Sequence, residues 1–141
     1  MIPGEVSSSG RPSGPPRAQR SLRIVVVDDE RDMVITLSTL LTDEGHAVQG
    51  LYRAQDVMST VKEFDPDVVM LDIALPDGSG YALAEQIRRK YGGTRPLLIA
   101  LTGVYGRPPH DKLYRIVGCD HFLTKPFALD EVLRLIEPLT N

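Results

Sequence analysis

The sequence predicts a three-layer α/β fold, an open parallel β-sheet covered by helices on both faces. Three observations carry this. Apolar runs of strand length recur along the chain, and those at 24–27, 68–71 and 97–101 are unbroken, as in strands buried on both faces. Each run is followed by a stretch with apolar residues at helical spacing. The regular alternation of the two patterns fits parallel strands joined by right-handed crossovers.

Taken in order, "LRIVVVDD" is the first strand, and Met33, Val34, Leu37, Leu40 and Leu41 mark the inward face of a helix that Gly45 closes. "HAVQGL" is a weaker strand suited to a sheet edge, followed by a helix on Val57, Met58, Val61 and Phe64. "DVVMLD" is the third strand. Ser79 can cap the next helix, which turns Tyr81, Ala84 and Ile87 inward and stops at Gly92-Gly93. "RPLLIALTG" is the fourth strand. Pro108 and Pro109 can begin a helix but not continue one, so the helix on Leu113, Ile116 and Val117 is expected to be short. "HFLTKP" and a helix on Leu129, Val132, Leu133 and Ile136 complete five strands and five helices.

Residues 1–20 are more than half Gly, Pro and Ser and hold little that could anchor a core, so they read as a disordered tail or linker before a domain at 21–141. With 141 residues, 42% hydrophobic, the chain can bury one core. A net charge of -3 and the absence of a long Lys/Arg block give no support to direct nucleic-acid binding. No apolar run approaches the roughly 20 residues of a membrane span, and no signal-peptide core is visible, which makes a cytoplasmic location the default. The single Cys119 cannot form an internal disulfide and reads as a small buried hydrophobe. His46, His110 and His121 read as surface or packing residues.

In open α/β sheets, ligands gather at the carboxyl ends of the strands, near the point where strand order reverses. Those ends carry Asp28 and Asp29 after the first strand, Asp72 after the third, Thr102 after the fourth and Lys125 after the fifth. Crowded carboxylates are relieved by raised pKa values or by a hard cation with oxygen ligands, here Mg²⁺; without His or Cys ligands, zinc and copper are disfavoured. A carboxylate, a divalent ion and a lysine are the parts needed to accept a phosphoryl group. Asp72 stands alone at its strand end and is the best nucleophile, while Asp28 and Asp29 are better placed to hold metal.

The set Asp28-Asp29, Asp72, Thr102 and Lys125-Pro126 resembles the receiver domain of two-component response regulators, over about residues 22 to 139. The stretch between the fourth and fifth strands resembles receivers of hybrid histidine kinases more than those of DNA-binding regulators. The resemblance implies a flavodoxin-like (CheY-like) three-layer sandwich with strand order 2-1-3-4-5. It implies Mg²⁺ held by Asp29, Asp72 and the Ala74 carbonyl, with Asp28 acting through water or as a second acid. It further implies transfer of a phosphoryl group to Asp72 from a phosphohistidine on a histidine kinase or phosphotransfer protein. Thr102 and Lys125 would each bind a phosphoryl oxygen, with Lys125-Pro126 a cis peptide that aims the lysine inward. Phe122 matches an aromatic switch that turns into space vacated by Thr102 and changes the surface of the fourth helix, fifth strand and fifth helix for a downstream protein partner. Such a domain catalyses only its own phosphorylation and dephosphorylation and is no conventional enzyme.

Ala74 and Val104 carry no polar group to position an attacking water, so spontaneous loss of the phosphoryl group is expected to be slow unless a partner phosphatase assists; Gly103 keeps the approach open. A phosphohydrolase would need an acid at position 74, and a flavin or nucleotide binder would need a phosphate-cradling loop where Asp28 and Asp29 stand. The competing expectation is an interaction domain that works without phosphorylation. Because the chain ends soon after the fifth predicted helix, it is expected to be either a stand-alone receiver or a piece of a larger protein.

Overall fold

The structure, a computed structural model, describes residues 20–103 and 118–141. The chain runs β1 (Arg23–Val27), α1 (Arg31–Asp43), β2 (Ala47–Leu51), a 3₁₀ turn (Ala54–Asp56), α2 (Val57–Phe64), β3 (Val68–Asp72), β4 (Ala74–Leu75), β5 (Gly78–Ser79), α3 (Gly80–Tyr91), β6 (Leu97–Thr102), β7 (His121–Thr124) and α4 (Leu129–Thr140). Five strands form one parallel sheet in the order β2-β1-β3-β6-β7. The short antiparallel β4-β5 ribbon takes two numbers, so this is the expected order 2-1-3-4-5. The predicted fourth helix, with Pro108, Pro109, His110, Leu113, Ile116 and Val117, lies outside the described residues, as do Val104 and residues 1–19.

The unbroken apolar strands form because successive side chains leave a strand on opposite faces and both faces here are covered. Val25, Val27, Val69, Leu71, Leu98 and Ala100 pack with Val57 and Val61 of α2 and Leu83, Ala84 and Ile87 of α3. The alternate residues Ile24, Val26, Val68, Met70, Ile99 and Leu101 pack with Val34, Leu37 and Leu41 of α1 and Val132 and Ile136 of α4. β2, whose residues are only partly covered, forms the edge. One expectation fails: Leu40 was placed inward but is exposed. Val34, Leu37 and Leu41 already define the buried stripe, and at about 100° per residue Leu40 falls on its flank.

Strand entry is held by charge. Asp67 accepts from the Arg23 N–H (2.9 Å), Arg20 (3.2 Å) and Arg95 (3.0 Å), so one buried carboxylate ties the starts of β1 and β3 to the segment before β6. Arg88 of α3 donates to the Gly118 and Pro96 carbonyls and to Asp120, which in turn accepts from the Leu98 N–H. These contacts align β6 with β7. No described helix is long and apolar enough to cross a membrane.

Candidate functional site

β1 pairs with β2 on one side and β3 on the other, so the strand order reverses between β1 and β3. Their carboxyl ends deliver Asp28 and Asp29, one step past β1, and Asp72, the last residue of β3. Carboxylate oxygens of all three lie within 4.8 Å of one another. Asp28 is wholly buried, Asp72 nearly so and Asp29 exposed, so the cluster is open to solvent on one side. This all-oxygen donor set fits a hard divalent cation and disfavours a soft one.

Each buried acid is oriented by the backbone that follows it. Asp28 accepts from the Glu30 N–H at the start of α1 (3.0 Å), and Asp72 accepts from the Ala74 N–H (3.0 Å). Lys125, one residue beyond β7, brings its Nζ to 2.8 Å from Asp28 and 3.8 Å from Asp72. Lys125-Pro126 is cis, as expected. Burial pushes the Asp72 carboxyl up from the ordinary aspartate range; the Ala74 N–H and Lys125 oppose the rise, and Asp28 and Asp29 add to it. Burial works against the Lys125 ammonium, but its hydrogen bond to Asp28 and the charges of Asp28, Asp72 and Glu30 outweigh that, and its pKa rises.

Thr102 ends β6, buried, with its hydroxyl donating to the Gly103 carbonyl (3.2 Å). Among the described residues, a Cβ added at Gly103 would meet nothing within 4 Å. The register pairs Ala100 with Phe122 and Thr102 with Thr124, which puts Thr102 and Phe122 on one face of adjacent strands, a diagonal step apart. Phe122 is half-buried against the α2/α3 side of the core. Ala74, exposed, follows in the two-residue β4.

Sequence reasoning missed the roles of two residues around this rim and the ring contact of a third. Asp77 accepts from the Ala54 and Gln55 N–H groups (2.8 and 3.1 Å), tying the loop after Asp72 to the turn that opens α2; the sequence shows only an ordinary Asp-Gly turn. Gly80 lets α3 start against the backbone of Asp72: a Cβ there would collide with the Asp72 carbonyl oxygen and lie 2.6 Å from Ile73 Cα. Ser79 caps the same helix as expected, accepting from the Ala82 N–H at 3.4 Å. The third residue is Tyr81, expected inward with Ala84 and Ile87. Its ring is half-buried, edge-on to Phe122 with centroids 6.4 Å apart.

Comparison with known proteins supplies the family. Residues 24–137 match the response regulator receiver domain. The chain belongs to this family. Receiver domains are signalling domains of two-component systems. The transcriptional regulatory protein TcrA of Mycobacterium tuberculosis is 34% identical over 139 residues, 98% of this chain and 51% of that protein, so the chain spans about half the length of this curated relative. Among solved structures, a CheY-like receiver domain protein from Methanospirillum hungatei superposes with a TM-score of 0.76 at 24% identity, covering 85% of this chain and 94% of that one. A receiver domain from Bermanella marisrubri superposes with a TM-score of 0.71 at 26% identity, covering 84% of this chain and 98% of the other. The receiver fold is thus the flavodoxin-like, CheY-like fold expected.

Proposed function

We propose that this receiver domain accepts a phosphoryl group on Asp72, with Mg²⁺, from the phosphohistidine of a histidine kinase or phosphotransfer protein. The observation that carries the reading is the Asp28–Asp29–Asp72 cluster with Lys125 against it. An Asp72 carboxylate oxygen attacks phosphorus, the O–P bond forms as the P–N bond breaks, and the electron pair returns to the donor imidazole. Asp28, Asp29, Asp72 and the Ala74 carbonyl are the residues that would hold the ion, which supplies positive charge to the phosphoryl oxygens. Lys125 pairs with one of those oxygens, exchanging part of its contact with Asp28, and the Thr102 hydroxyl turns to another. Phe122 then follows Thr102 on their shared face, and the outer surface near β7 and α4 changes for a downstream protein partner. The chemistry is stoichiometric self-modification, not turnover of a substrate pool.

Intact-mass spectrometry after incubation with acetyl phosphate and Mg²⁺ tests this. One added phosphoryl group is expected in the wild type, and none with a chelator or in Asp72→Asn. A folded, Mg²⁺-binding protein that takes up no phosphoryl group would instead mark an interaction domain independent of phosphorylation.

A further inference from the structure

Among the described residues, the Tyr81 hydroxyl is enclosed and has no hydrogen-bond partner, and the other buried side-chain atom in this condition is Ser38 Oγ, on α1 against Gly50. A buried hydroxyl without a partner is destabilising, because folding has stripped its water and returned nothing. Burial, and then the field of Cys119, push the Tyr81 phenol up to about 12, so the group is a neutral O–H donor left unused. Tyr81 stands one residue after Gly80, where α3 touches the Asp72 backbone, and its ring meets that of Phe122 edge-on at 6.4 Å and 81°. A turn of Phe122 would therefore alter the ring contact that Tyr81 makes.

We propose that Tyr81 is a positioning residue for Phe122, its unpaired hydroxyl disfavouring the arrangement described here and tilting the domain toward the switched one. When Phe122 turns, the hydroxyl gains access to water or to an acceptor. The resting state alone carries the penalty, so the penalty acts as a standing bias on the equilibrium. This rests on the phosphoacceptor reading above, because the movement of Phe122 belongs to it.

The test is urea unfolding of the wild type and Tyr81→Phe with Mg²⁺, together with titration of beryllofluoride, a phosphoryl mimic. Tyr81→Phe keeps the ring and deletes the hydroxyl. Its resting form should unfold at higher urea than the wild type, and beryllofluoride should bind it about fivefold more weakly. In a Phe122→Leu background the same substitution should leave beryllofluoride affinity unchanged, which a purely structural role of Tyr81 would not require. Unaltered or tighter binding by Tyr81→Phe overturns the proposal, as does a fivefold loss that persists without Phe122. A wild type that binds Mg²⁺ but shows no response to beryllofluoride overturns the phosphoacceptor reading, and this inference with it.

Discussion

Asp28 has no exposed surface, and its charge is tolerable because Lys125 Nζ sits 2.8 Å away. A buried ion pair is a weak source of net stability, but breaking it leaves one charge uncompensated, at a cost of about 3 kcal/mol. Lys125→Met should therefore lower unfolding stability by about that amount in metal-free buffer, measured by urea titration, and Asp28→Asn in the same protein should restore part of the loss. The individual acids and Thr102 were legible in the sequence because each stands at the end of an unbroken apolar run, where a strand must leave the core, and Lys125 because it follows the short run HFLT. That Lys125 takes Asp28 as its first partner was not legible. The two are 97 residues apart, and only the packing of β7 beside β6, and of β1 beside β3, sets the distance.

At the scale of elements, the start of α3 sits directly against the backbone of Asp72. Gly80 donates to the Ile73 carbonyl (3.2 Å) and leaves no room for a Cβ against the Asp72 backbone. Gly80→Ala must push the turn after β3 outward, and a misplacement of about 1 Å in a reacting group can slow chemistry by about 100-fold. The variant should be phosphorylated by acetyl phosphate about 10- to 100-fold more slowly than the wild type, followed by intact mass over time. The helix itself was readable from its Ser79 cap and its Ala84 and Ile87 face. The need for glycine at its first position was not, since the colliding atoms belong to another element. Leu40 misled because local spacing admits it to the apolar face of α1, while the residues of that helix that the core buries are Val34, Leu37 and Leu41.

For the molecule as a whole, acidification strikes first at His46. Its Nδ1 accepts from the buried Leu22 N–H (3.0 Å), which requires the neutral ring, and burial lowers its pKa from 6.5 against the opposing field of Glu44. The cavity of about 390 Å³ beside it is also lined by Asp130, Arg134 and Glu137 of α4. With a folded pKa below the unfolded one, the unfolded chain binds the proton more readily, so this stability is complete above pH 6.5 and is lost as pH falls below it. Asp67 adds a second loss at lower pH: burial opposes its charge, but the Arg23 N–H, Arg95 and Arg20 outweigh burial and hold its carboxyl below the ordinary range. Its contribution is present above about pH 4 and disappears under it. The urea midpoint should accordingly fall between pH 6.5 and 5 in the wild type. It should stay flatter over that window in His46→Asn, which keeps an acceptor that cannot protonate there.

By itself the sequence determined the five strands of the sheet, the described helices between them, the edge position of β2 and the residues at which strands leave the core, because backbone periodicity and turn chemistry act over a few neighbouring residues. The tertiary structure alone decided that three carboxylates share 4.8 Å, that Lys125 pairs with Asp28, that Asp77 holds the entry to α2 and that the Tyr81 hydroxyl is sealed beside Phe122. Those distances depend on the register of parallel strands and on how helices seat on the sheet. Such terms join residues far apart in the chain, and no local pattern records them.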